Sequence, residues 1–63
     1  MARLVIEINL DNSAFEENKN GEISKCLDRV KAGLDAGLLP AMMNPISDTN
    51  GTRIGYWKEF KDD

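Results

Sequence analysis

The sequence predicts a small α+β domain in which a three-stranded sheet carries one amphipathic helix on one face. Three observations support this fold class. An alternating apolar segment lies near the start of the chain, a helical apolar stripe occupies the middle, and an Asn-Gly turn separates two extended segments near the end. The predicted element order is β-α-β-β, and residues 1–63 form a single two-layer domain.

The first strand is predicted from the alternation of apolar and other residues between positions 3 and 10. Leu4, Ile6, Ile8 and Leu10 would point to one face of the sheet, and Val5 to the other. Because successive side chains of a strand alternate between its faces, we expect the first set to be buried against the helix.

A short helical turn is expected after this strand. Ser13 and Glu16 have the Ser-x-x-Glu spacing of a capping box, in which the serine side chain bonds a backbone N–H three residues later. Phe15, inside this turn, is expected to fold back onto the core.

The main helix should begin near Asn20 or Gly21 and end at Gly37, which suits a left-handed cap. Gly33 within it costs on the order of 1 kcal/mol relative to alanine, and a close approach of helix and sheet would account for it. One apolar stripe follows helical spacing: Ile23, Cys26, Leu27, Val30 and Leu34.

The segment after the helix is apolar but irregular, and Met42 or Met43 is expected to cover the end of the core. Asn50-Gly51 then predicts a hairpin whose two central residues both have positive φ. The last strand should run from about Thr52 to Phe60.

Two strand orders fit this sequence of elements. If the last strand lies in the middle, all pairings are antiparallel and every connection is short. If the first two strands are neighbours, they form a parallel pair with a right-handed crossover. We favour the first arrangement.

Trp57 is the main candidate for a contact with a partner. Strict alternation places it on one face of the last strand with Arg53 and Glu59. If the other face packs on the helix, Trp57 stands on the open face of the sheet, near Val5. The predicted partner-binding residues are therefore Trp57, Val5, Arg53 and Glu59. The alternative is a bulge at Gly55 that turns Trp57 into the core.

The residues that common catalytic and metal sites require are scarce. The chain has no histidine, and its single cysteine, Cys26, falls on the apolar stripe, where we expect it to be a buried hydrophobe. Its glycines form no phosphate-binding loop. We therefore predict no catalytic residues, no cofactor, no metal and no enzymatic activity.

Charge and size indicate the class of partner. Eight basic and 11 acidic residues give a net charge of −3, which makes nucleic acid an unlikely partner. The sequence shows neither a signal peptide nor an apolar run that could span a membrane, so we expect a cytoplasmic protein. A chain this short has a small core, and it can have neither an internal disulfide nor a Cys/His zinc cluster, which predicts a homodimer.

The segments Val5–Phe15 and Ser47–Gly55, with the amphipathic helix between them, resemble small uncharacterised proteins of temperate phage and prophage genomes. This resemblance implies a phage-encoded accessory protein in the bacterial cytoplasm, and it supplies no activity.

We therefore expect a non-enzymatic protein–protein interaction module that acts on a host or phage protein. One form it could take is an inhibitor or modulator of a host defence or regulatory complex. The alternative is a nucleic-acid-binding sheet, in which Tyr56 and Trp57 stack on bases while Arg3, Arg53 and Lys58 contact phosphates.

Overall fold

The computed structural model of the chain describes residues 1–11 and 13–61. Its elements in chain order are β1 (Ala2–Ile8), α1 (Ala14–Glu17), α2 (Lys19–Asp35), β2 (Asn44–Ser47) and β3 (Arg53–Lys61). The sheet order is β1-β3-β2, and both pairings are antiparallel. The α+β prediction is confirmed, and so is the strand order that places the last strand in the middle.

The register between β1 and β3 defines the two faces of the sheet. Ala2 lies opposite Lys61, Ile6 opposite Trp57 and Ile8 opposite Gly55. Because paired residues of an antiparallel sheet share a face, Ile6, Ile8 and Trp57 all point toward α2. We call this the helix face and the other the open face.

A β-bulge interrupts the alternation of β3. Ile46 of β2 lies opposite Gly55, and its neighbour Ser47 lies opposite Arg53, so Ile54 is the extra residue. The bulge explains why Ile54 and Trp57, three residues apart, are both buried. Placing Trp57 on the open face was therefore wrong. The alternative prediction placed the bulge at Gly55, and the structure has it one residue earlier, at Ile54.

The short helix α1 forms as expected, but its capping box does not. The Ser13 side chain makes no capping hydrogen bond, and the turn is closed by the Glu16 N–H, which donates to the Ser13 backbone carbonyl at 3.1 Å. Phe15 is buried in the core, as predicted.

Helix α2 is longer at its start than expected. Asn18 caps it, because its side-chain oxygen accepts a hydrogen bond from the Gly21 N–H at 3.2 Å. At the other end Gly37 has φ 93°, which confirms the left-handed cap. A Cβ on Gly33 would lie 3.3 Å from Cζ2 of Trp57, so the close helix–sheet approach is also confirmed.

The hairpin is present with a different turn. Of the described residues other than glycine, none has positive φ, so Asn50 is not in the expected conformation, whereas Gly51 has φ 84°. The Gly51 N–H donates to the Asp48 carbonyl and the Asp48 N–H to the Thr52 carbonyl. This is the pattern of a three-residue loop, in which a type I turn is followed by a left-handed glycine.

The core is small. Its buried apolar side chains are Phe15, Cys26, Val30, Ile46, Ile54 and Trp57. The first strand contributes only Ile8, which packs partly buried against this cluster, whereas Leu4, Ile6 and Leu10 stay substantially exposed. Met42 and Met43 are exposed as well. The expectations that these side chains bury or cover the core were wrong.

None of the helices in the described part of the chain is long and apolar enough to cross a membrane.

Candidate protein-interaction surface

Trp57 is a core residue. Only 2% of it is exposed, and its ring lies under Gly33 of α2. A side chain in this position cannot touch a partner without unfolding the domain. Its role as a contact residue is therefore corrected to that of a central core residue.

The other three predicted contact residues do not form one site. Val5 is half-buried on the open face, where it lies opposite Lys58. Arg53 is exposed and reaches Met43, with 3.3 Å between its Nη2 and the methionine sulfur. Glu59 lies opposite Leu4 on the helix face. The sequence therefore grouped residues that the fold separates, although contact of each with a partner stays a prediction.

Helix α2 is hydrogen-bonded to β2, the edge strand on the opposite side of the sheet from β1. The guanidinium of Arg29 donates a hydrogen bond to the backbone carbonyl of Ser47, the last residue of β2. Since residues of an α-helix advance by about 100° each, Leu27 and Leu34 lie roughly 140–160° around the axis from Arg29. In a sheet ordered β1-β3-β2, that flank of the helix faces the β1 side.

Four large apolar side chains stay substantially exposed on the β1 side of the domain. They are Leu4 (49%) and Ile6 (37%) on the helix face of β1, and Leu27 (45%) and Leu34 (43%) on the flank of α2 opposite Arg29. We call these four residues the β1 groove. Its floor at Ile6 adjoins Trp57 through strand pairing. The buried core thus continues into an uncovered apolar surface, which is the kind of surface that marks interaction sites.

A cleft continues the groove at the start of β1. Ala2, Arg3, Leu4, Pro40 and Glu59 line a space of about 220 Å³. Pro40 is held there by its carbonyl, which accepts a 2.7 Å hydrogen bond from the Glu59 N–H. The cleft therefore lies over the pairing of β1 with β3 and shares Leu4 with the β1 groove.

Strand β1 is an edge of the sheet, so only one side of its backbone pairs with another described strand. The Asn9 N–H donates to the Ile54 carbonyl at 2.7 Å, so the odd-numbered residues of this strand direct their backbone groups toward β3. The even-numbered residues Ala2, Leu4, Ile6 and Ile8 therefore direct theirs outward. No described strand pairs with this outer side, which makes it a template for strand addition.

The open face carries cations over an aromatic ring. The guanidinium carbon of Arg3 lies 5.6 Å from the centroid of Phe60, and Nζ of Lys58 lies 4.5 Å from it. Such contacts stabilise by about 0.5–1 kcal/mol at exposed sites. Tyr56 shares this face, opposite Glu7 of β1.

Cys26 is buried, as predicted. Burial raises the pKa of its thiol above the ordinary value, although the nearby charge of Arg29 acts in the opposite direction. A raised pKa disfavours the thiolate, which is the reactive form of cysteine. Within residues 1–11 and 13–61, no three side chains of the metal-ligating types His, Cys, Asp and Glu are grouped as a cation would require.

No protein-family model matches this chain, and neither a curated protein nor a solved structure shows significant similarity to it. The resemblance to phage proteins stays a prediction.

Proposed function

We propose that this chain is a non-enzymatic protein-interaction module that binds its partner through the β1 groove. The observation that supports this function is the exposure of four large apolar side chains, Leu4 and Ile6 on the helix face of β1 and Leu27 and Leu34 on the flank of α2 turned toward β1. A small domain gains stability by burying such side chains, so an uncovered group of four points to a partner that covers them.

The size of the groove sets a scale for binding. Fully burying a leucine or isoleucine side chain gains about 1.5–3 kcal/mol, so covering these four, which are less than half exposed on average, gains roughly 2.5–5 kcal/mol. Association costs an estimated 4–15 kcal/mol in lost freedom and ordering. The groove therefore needs further contacts, and the adjoining edge of β1 offers backbone donors and acceptors.

The biological setting of this proposal rests on the resemblance to phage accessory proteins. In that setting the module acts in the bacterial cytoplasm, and its partner is a host or phage protein. Inhibition or modulation of a host defence or regulatory complex is the form of action that fits a binding module of this size.

A photo-crosslinking amino acid tests the groove directly. With p-benzoyl-phenylalanine at position 27, we expect ultraviolet irradiation of cells that express the full chain to link it to a protein, because the groove is occupied when its partner is present. Denaturing electrophoresis and mass spectrometry would identify the product as a second copy or another protein.

The matched control places the same amino acid at position 25. Lys25 is exposed on the same helix, where its Nζ lies 3.2 Å from a carboxylate oxygen of Glu22, and it lies about 160° around the axis from Leu27. Position 27 should give a discrete product and position 25 only background. Equal labelling at both positions, or none at position 27, would overturn the proposed function.

Binding of single-stranded nucleic acid has one observation in its favour, the cations of Arg3 and Lys58 gathered with Tyr56 and Phe60 on the open face. However, Trp57 is buried on the helix face and is lost to base stacking, and the net charge is −3. We expect no gel shift of a single-stranded oligonucleotide at low salt and micromolar protein. A shift that is lost in Lys58→Ala would place this function first.

A further inference from the structure

We propose that the partner in the β1 groove is a second copy of this chain. The two β1 strands pair antiparallel along their outer edges, with a two-fold axis passing at Val5. The resulting dimer has one continuous six-stranded sheet. This inference rests on the proposed function, because it names the occupant of the same groove.

Strand polarity restricts how two copies can pair. Only Ala2, Leu4, Ile6 and Ile8 direct backbone groups outward, so each must lie opposite another residue of this set. With the axis at Val5, Leu4 lies opposite Ile6 of the second copy and Ala2 opposite its Ile8. The seven residues of β1 then pair over their whole length.

Charge complementarity favours this register. Arg3 and Glu7 both lie on the open face of β1, since Arg3 pairs with Phe60 and Glu7 with Tyr56. With the axis at Val5, Arg3 lies directly opposite Glu7 of the second copy, and symmetry repeats the pair. These are positions between the hydrogen-bonded pairs, where the Cα atoms approach to about 4.5 Å and side chains interact most strongly.

The neighbouring registers lack this match. An axis at Leu4 places Arg3 opposite Val5 of the second copy and pairs only residues 2–6. An axis at Ile6 places Glu7 opposite Val5 and pairs only residues 4–8. Neither register places Arg3 opposite Glu7, and both shorten the strand pairing.

The same register brings the apolar surfaces together. Leu4 and Ile6 of one copy meet Ile6 and Leu4 of the other on the helix face, the face on which α2 packs. Stable interfaces bury about 800 Å² on each partner, which is more than edge pairing of short strands supplies alone. Leu27 and Leu34 of both copies lie on the flanks of α2 turned toward the two-fold axis, and their burial would add to the apolar part of that area.

A charge exchange tests the register. Arg3→Glu or Glu7→Arg alone places like charges opposite each other twice, so we expect each to weaken the dimer about tenfold or more in sedimentation equilibrium. The double variant Arg3→Glu/Glu7→Arg restores opposite charges and should recover most of the loss. Positions 3 and 7 are about 13 Å apart along one strand, so this recovery must occur between copies.

Arg53→Glu is the matched control, because it makes the same charge change at an exposed position on the other side of the sheet, near β2. It should leave the dimer constant within about twofold. Circular dichroism would confirm that each variant is folded. The double variant also lacks the Arg3 contact with Phe60, so its recovery isolates the pairing between copies.

The outcomes separate this inference from the proposed function. A chain that sediments as a monomer at every concentration, with position 27 crosslinked to a different protein, overturns the dimer and leaves the interaction function standing. A dimer that the double variant fails to restore overturns the register. A monomer with no crosslink at position 27 overturns both.

Discussion

Replacing Trp57 by alanine should leave the isolated chain largely unfolded at room temperature. Truncating a buried tryptophan or phenylalanine costs about 3–5 kcal/mol. A single core in a chain of this length rarely supplies more than about 3–5 kcal/mol of net stability. Trp57 is buried at 2% exposure, pairs with Ile6 and Asn44 and lies against Gly33, so its removal opens the centre of the core.

Far-UV circular dichroism during thermal melting would measure this effect, because tryptophan fluorescence is lost with the substitution. Tyr56→Ala is the matched control: the neighbouring aromatic is only half-buried and lies on the open face. It should melt cooperatively, with a smaller loss of stability. A Trp57→Ala variant that melts like Tyr56→Ala would show that Trp57 does not belong to the core.

The fold class could be predicted because its signals are local. The alternation of β1, the apolar stripe of α2 and the left-handed glycine at position 37 each depend on residues within one element. The antiparallel strand order followed from short connections. Even the reason for Gly33 inside a helix was correctly anticipated, since Trp57 packs against it.

The position of Trp57 could not be predicted because it depends on one residue in a strand pairing. A single extra residue, Ile54, reverses which face each later side chain of β3 occupies relative to strict alternation. The sequence offered Gly55 as a signal of a bulge, and the bulge lies beside it. Trp57 on the open face and Trp57 in the core therefore differed by one residue of β3. Only the pairing of β2 with β3 distinguishes these two arrangements.

The β1 groove was missed for a related reason. Alternation identified Leu4 and Ile6 as one apolar face, and helical spacing identified Leu27 and Leu34 as part of one stripe. Both patterns are correct, but neither states how far a helix is displaced across a sheet. The bond from Arg29 to the Ser47 carbonyl holds α2 toward β2, and this long-range contact leaves the other flank uncovered. Ten large apolar side chains of the described residues are exposed, and the local sequence patterns did not predict their exposure.

Gly55→Ala should be the most damaging single-methyl addition in the chain. A Cβ there would overlap the backbone carbonyl oxygen of Glu7 and would lie 2.9 Å from its carbonyl carbon and 3.0 Å from Cα of Ile8. These are backbone atoms of the paired strand, so relief requires β1 to move away from β3. Overpacking of this kind costs about 1–3 kcal/mol, and a backbone obstacle places Gly55→Ala at the upper end.

Gly33→Ala supplies the comparison, because it adds the same methyl group at a second close approach. There the nearest atom is Cδ1 of Leu38, the end of a flexible and half-exposed side chain, at 2.9 Å. Alanine also favours the helix by about 1 kcal/mol over glycine, so the variant should stay within about 1 kcal/mol of the parent. Urea unfolding followed by Trp57 fluorescence would measure both variants. Equal stability of the two would contradict the close pairing of Gly55 with Ile8, and with it the strand position on which the Arg3–Glu7 register depends.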